Sequence, residues 1–151
     1  MGQIVIGWRQ AICLAIKMKL GLKRAYEPPL PLDGVRILVD RLWPRGLSKT
    51  DARIDFWAKE IAPSNALRHW YQHEFEKWPV FRRKYMEELR NNDAAIQELI
   101  AKLEVGNATL LFDSQELNYN NAMVLKEYLE SLRQEVRRTI LHGNNLYVGL
   151  Y

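Results

Sequence analysis

Cysteine is nearly absent from this chain: Cys13 is the only one among 151 residues. A single thiol forms no internal disulfide and supplies neither a redox pair nor a cysteine-based metal site, which fits a reducing, cytoplasmic compartment. Long apolar runs are lacking too. Nowhere does the sequence approach the ~20 consecutive apolar residues of a membrane span. The apolar stretch Ile4–Ile16 is interrupted by Arg9 and Gln10. It also has neither the leading basic residues nor the small-residue cleavage site of a secretory signal. A cytosolic protein without membrane attachment is therefore expected. Equally missing are GxGxxG, GxSxG, HExxH and the GxxxxGK of a P-loop, so standard dinucleotide, esterase, zincin and P-loop chemistry have no support.

What is present has the balance of one globular domain, with 48% hydrophobic and 26% charged residues. The net charge of +4 invites a nucleic-acid partner, but the excess is peripheral. Residues 1–17 carry Arg9 and Lys17 and no acids, and residues 136–151 carry Arg137 and Arg138 and no acids. The stretch between them balances eighteen basic against eighteen acidic residues. A nucleic-acid binder carries its basic footprint on the folded domain, so this reading ranks below the others.

The chain divides into an N-terminal extension (1–17), one domain (18–135) and a C-terminal tail (136–151). Within the domain, Leu20 and Leu22 alternate as in a first strand, ended by Pro28-Pro29. Val35–Asp40 alternates as a second strand. After Gly46 the period changes. Ile54, Trp57 and Ile61 are spaced for a short helix that Pro63 stops. Ser64 suits the cap of a second helix with Leu67, Trp70, Tyr71 and Phe75 as its buried stripe. Trp78, Phe81, Tyr85 and Leu89 define a third behind Pro79. Asp93 caps a fourth, closed by Gly106. Ala108–Phe112 reads as a buried parallel strand. Asp113–Tyr119 is a polar loop, and Asn120 or Asn121 caps a last helix burying Ala122, Leu125, Leu129 and Leu132. The pattern fades from Val136, and Gly143-Asn144-Asn145 reads as loop. This order predicts an α/β domain: a small, largely parallel sheet of three to four strands flanked by about five helices. Its strand ends then face one way, so the loops after Asp40 and after Phe112 open onto one edge, where α/β proteins hold ligands.

The densest chemistry follows the second strand, in Asp40-Arg41-Leu42-Trp43-Pro44-Arg45-Gly46. Arg41 and Arg45 are permanently charged forks suited to phosphate or carboxylate, Trp43 can stack on a flat ligand, and Asp40 can act as acid or base if buried. The competing reading is a structural knot in which Asp40 pairs with an arginine, Trp43 fills the core and Pro-Gly makes the turn. Across the expected crevice, Ser114 offers a hydroxyl, and the helix capped near Asn120 offers free backbone N–H groups to an anion. His69 and His73 stand four apart, a spacing that can serve a metal, but nothing nearby supplies a third ligand. No metal site is assigned. His73 is retained as an acid–base candidate beside Asp40. No cofactor is indicated.

KRAYEP (Lys23–Pro28), DGVRILVDRLWPRGLSK (Asp33–Lys49), WAKEIAPS (Trp57–Ser64) and LRHWYQH (Leu67–His73) together resemble the YeaO-like family of uncharacterised bacterial proteins, domain of unknown function 488. KWPVFRRKYMEEL (Lys77–Leu89), TLLF (Thr109–Phe112) and NNAMVLKEYL (Asn120–Leu129) continue the match. It runs from about Met18 to Leu132. Residues 1–17 precede the usual start of family members. Where members often carry an Ala-Lys-Asp-like stretch, this chain has Ser114-Gln115-Glu116, so a lysine charge is missing at Gln115. The resemblance implies a small α/β protein with a polar crevice and no particular substrate.

The leading expectation is a protein that binds an anionic metabolite, and acts on it if it is an enzyme, at the Asp40–Gly46 loop. Arg41, Trp43, Arg45, Ser114 and Asn120 are the candidate ligand-binding residues, and Asp40 and His73 the candidate proton carriers. A non-enzymatic interaction or regulatory module, homo-oligomeric if Trp43 and the arginines organise an interface, is the alternative. Nucleic-acid binding through the basic flanks is the weakest.

Overall fold

A computed structural model of the protein describes residues 19–103 and 106–147; the expectations for residues 1–17 lie outside the described residues. Among the described residues, four strands, β1 (Leu20–Arg24), β2 (Val35–Leu38), β3 (Phe56–Trp57) and β4 (Ala108–Phe112), form one all-parallel sheet in the order β1-β4-β2-β3. Five helices accompany it there: α1 (Lys49–Ala52), α2 (Asn65–Tyr71), α3 (Trp78–Arg90), α4 (Asp93–Leu103) and α5 (Asn121–Tyr147). The α/β expectation holds.

β4 occupies the centre because its sequence suits it. All five of its residues are buried, as a strand flanked by neighbours and covered on both faces demands. Leu110 faces Leu22 of β1 and Ile37 of β2. On one side of the sheet Ile37, Val39, Leu110 and Phe112 pack against Phe81, Tyr85 and Leu89 of α3, Leu99 of α4 and Leu125 of α5. On the other, Ala25, Leu38 and Leu111 are covered by Trp43, Leu47, Ile54 and Trp57. β2 is consequently buried on both faces despite its alternating sequence. Its one charge, Arg36, is only 3% exposed and is matched by Asp33 at 2.6 Å, itself 3.0 Å from Lys23. The turn before β2 requires glycine: Gly34 has φ +62, and any Cβ there would run into the Asn107 carbonyl.

Capping follows the sequence closely. The Ser64 hydroxyl accepts the Leu67 N–H at 3.1 Å, and the Asn120 side chain accepts the Met123 N–H at 3.0 Å. At α4 the cap position falls to Asn92, whose carbonyl accepts the Ile96 N–H, and Asp93 is the first helical residue.

Three local expectations are corrected. Ile54, Trp57 and Ile61 do not share a helix. Phe56–Trp57 is an edge strand, because the Asp55 and Ala58 N–H groups reach Arg36 and Leu38 carbonyls at 2.9 and 2.8 Å, and sheet pairing overrides the spacing. Trp70 and Phe75 are not part of a buried stripe. α2 ends at Tyr71, since Gln72 and His73 are left-handed (φ 46 and 58), which leaves Phe75 64% exposed and Trp70 under the Lys84 ammonium at 4.5 Å. Gly143-Asn144-Asn145 lies inside α5 rather than in a loop. A helix nucleated by its packed first turns extends at little cost per residue.

Candidate functional site

Because the strands are parallel, the loops after β2 and β4 and the start of α5 meet at one edge of the sheet. Asp40 joins them. One of its carboxylate oxygens accepts the Asp113 N–H at 2.8 Å, and the other accepts the Asn121 side-chain amide at 2.9 Å. That amide also donates to the Val39 carbonyl at 3.0 Å, and the Trp57 indole donates to the Asp40 carbonyl at 2.7 Å. Burial pushes the Asp40 carboxyl above its ordinary pKa, outweighing the hydrogen bonds from Asn121 and the Asp113 N–H. Its contacts make Asp40 a clamp between two elements.

Beside it lies a cleft of about 200 Å³ lined by Asp40, Arg41, Arg68, Tyr71, His73, Ser114, Asn120 and Asn121, among others. Arg41 donates to the Ala62 and Pro63 carbonyls at 3.2 and 3.3 Å, which fixes its guanidinium and leaves N–H groups to spare. Arg68, half-buried on α2, forms no ion pair and no side-chain hydrogen bond among the described residues. The two left-handed residues after α2 bring His73 back to the cleft rim, a conformation that costs about 1–2 kcal/mol per residue away from glycine. Tyr71 is buried beneath, its hydroxyl donating to the Tyr119 carbonyl at 3.3 Å; burial, then the Glu116 charge, raises its pKa.

The predicted residues divide into two groups. Asp40, Arg41, His73, Ser114 and Asn120 converge on the cleft. Asn120 is spent on structure, since its amide also donates to the Glu116 and Leu117 carbonyls and tethers the loop to α5. Trp43 and Arg45 stand apart from the cleft. The Trp43 indole donates to the Leu47 carbonyl at 2.6 Å and its ring meets Trp57 edge-on at 5.5 Å, covering the sheet. The Arg45 side chain is exposed, and its carbonyl receives the Tyr26 hydroxyl at 2.9 Å. His69 and His73 do not share a helix face, because α2 stops between them. No group of three or more metal-ligating side chains occurs among the described residues.

Sequence reasoning missed Arg68 and the Asn121 clamp. The one signal for Arg68 was its position next to Leu67, which points inward from the Ser64 cap; the following residue then projects about 100° around the helix. The assembled cleft offers two guanidiniums, a serine hydroxyl, a rim imidazole and the exposed Asp113 carboxylate, while the clamped Asp40 carboxylate is already satisfied by two donors.

Residues 19–143 match the family described as "Inactive DUF488-N3 subclade". The chain is 41% identical over 115 residues to "Uncharacterized protein YeaO" of Escherichia coli strain K12, covering 76% of this chain and 100% of that protein. It is 46% identical over 81 residues to "Uncharacterized protein Rv3073c" of Mycobacterium tuberculosis, covering 54% of this chain and 68% of that protein. No solved structure matches it. With the family match spanning residues 19–143 and the full length of the Escherichia coli relative aligned, the chain belongs to the YeaO-like DUF488 family.

Proposed function

We propose that the protein binds a small phosphorylated or carboxylated molecule in the cleft at the sheet edge and does not convert it. The observation that carries this reading is Arg68, a half-buried guanidinium without a partner among the described residues, lining the same cleft as Arg41. A buried charge is costly unless matched, and guanidinium pairs match phosphate and carboxylate oxygens in shape as well as sign. Binding without turnover is favoured because both Asp40 oxygens already accept hydrogen bonds. The subclade's description as inactive points the same way.

The test is calorimetric titration with inorganic phosphate and with acetate, using the parent and Arg68→Ala. Binding to the parent, weakened about tenfold or more in the variant, is the expected result. No binding of either anion, or equal binding by both proteins, refutes the assignment.

A second reading, an interaction module, is favoured by the exposed apolar side chains Leu42 (58%) and Leu117 (57%) on the loops that border the cleft. It predicts a defined oligomer or complex lost on Leu42→Ser, read by light scattering. A monomer at all concentrations that captures no partner counts against it.

A further inference from the structure

The cleft does not end where the guanidiniums do. Its volume of about 200 Å³ falls short of the roughly 300–1,000 Å³ of sites that enclose a whole metabolite. His73, Asp113 and Ser114 belong at once to this cleft and to an open basin of about 750 Å³ beside it, completed by Arg24, Tyr26, Gln115 and Glu116. One ligand can therefore lie across both.

The two halves differ in chemistry. The inner end carries Arg41 and Arg68. The outer basin adds two carboxylates, Asp113 and Glu116, to side chains that both donate and accept. Glu116 uses one carboxylate oxygen for the Asn118 N–H at 3.0 Å, and its other oxygen makes no hydrogen bond among the described residues. Ser114 accepts the Glu116 N–H at 3.1 Å through its hydroxyl oxygen and keeps its own proton to donate. Arg24 is turned to the Ser114 and Asp113 carbonyls at 3.0 Å each, so it braces the basin floor rather than adding a second anion grip. Exposed carboxylates, a serine hydroxyl and a glutamine amide suit groups that both donate and accept, and adjacent hydroxyls satisfy a carboxylate two at a time.

Resting on the anion-binding reading above, we infer that the ligand is an anionic polyol. Its phosphate or carboxylate sits on Arg41 and Arg68, and its hydroxyls extend past His73 onto Ser114, Asp113 and Glu116.

The experiment compares the affinities of ethyl phosphate, ribose 5-phosphate and phosphoethanolamine by calorimetry, in the parent, Glu116→Gln and Arg68→Ala. The amide introduced by Glu116→Gln keeps an oxygen for the Asn118 N–H, so the fold is spared. Ribose 5-phosphate is expected to bind about tenfold tighter than ethyl phosphate, as one to two added hydrogen bonds imply, and Glu116→Gln should shrink that ratio severalfold. Equal affinity for the two, both dependent on Arg68, overturns the polyol inference and leaves the anion site standing. A ratio untouched by Glu116→Gln removes Glu116 and the outer basin from the argument. Phosphoethanolamine binding tightest of the three replaces the hydroxyls with an ammonium and also overturns it. Failure of all three phosphates to bind removes the anion site itself.

Discussion

Replacing Asp40 with alanine tests whether one carboxylate holds the cleft together. The substitution deletes two hydrogen bonds to an acidic acceptor, from the Asp113 N–H and the Asn121 amide. Bonds of this kind contribute about 1.5–3 kcal/mol each. Part of that is offset, because burial raises the Asp40 pKa by more than the hydrogen bonds lower it. A net loss of about 2–3 kcal/mol at neutral pH is expected from urea denaturation. The pH dependence carries the sharper test. A carboxyl whose folded pKa lies above its unfolded value contributes stability that is fully present below the unfolded pKa, near 3.8, and lost as the pH rises through the folded value. The penalty of Asp40→Ala should therefore be largest in acid and shrink as pH rises. Anion affinity should fall in the same variant, because the loop bearing Ser114 is no longer tied to β2. A penalty below about 1 kcal/mol, or one that grows with rising pH, refutes the account of Asp40 as a buried clamp.

Other substitutions probe the frame around it. Asp33→Asn leaves the 3%-exposed Arg36 without its counter-charge and should cost about 3–5 kcal/mol in equilibrium unfolding. Burial alone would raise the Asp33 pKa, but the Leu30 N–H, Lys23 and Arg36 outweigh it and hold it below 3.8, so the gap between parent and variant should close as pH falls beneath that value. Gly34→Ala forces both a positive φ and a collision with the Asn107 carbonyl, and should lower the melting temperature by well over ~5 °C or abolish folding. Trp43→Ala uncovers the far side of the sheet and should cost about 2–4 kcal/mol while leaving phosphate affinity within about twofold; a selective loss of binding would return Trp43 to the site.

Much of the fold was legible because its signals are local. The alternation around Leu20 and Leu22, the apolar run Ala108–Phe112, and the Ser64 and Asn120 caps all act within a few residues of themselves. β3 was not legible. Two residues give no period, and Ile54, Trp57 and Ile61 imitate a helix until β2 supplies the hydrogen bonds that make a strand. The site was half legible for the same reason. Strand polarity puts the Asp40 and Ser114 loops on one edge, which the order of elements foretold. The Asp40 clamp, in contrast, spans 73 residues to Asp113 and 81 to Asn121. Trp43 and Arg45 sit in the same turn as Arg41 yet point elsewhere, and local spacing carries no hint of that. Arg68 comes in on an element whose direction only the packed structure sets.

The central position of β4 bears on how the protein is made. β1 and β2, its two neighbours, leave the ribosome first and do not pair with each other. They wait for a strand that follows Leu38 by roughly seventy residues, about 4–15 s at ordinary translation speeds. Throughout that interval β1 has no strand partner among the described residues, and β2 has only the two-residue β3 on its opposite edge. The nascent chain is thus most open to misassembly just before Ala108 emerges, and the last strand of the sheet to be synthesised is the one that joins the others.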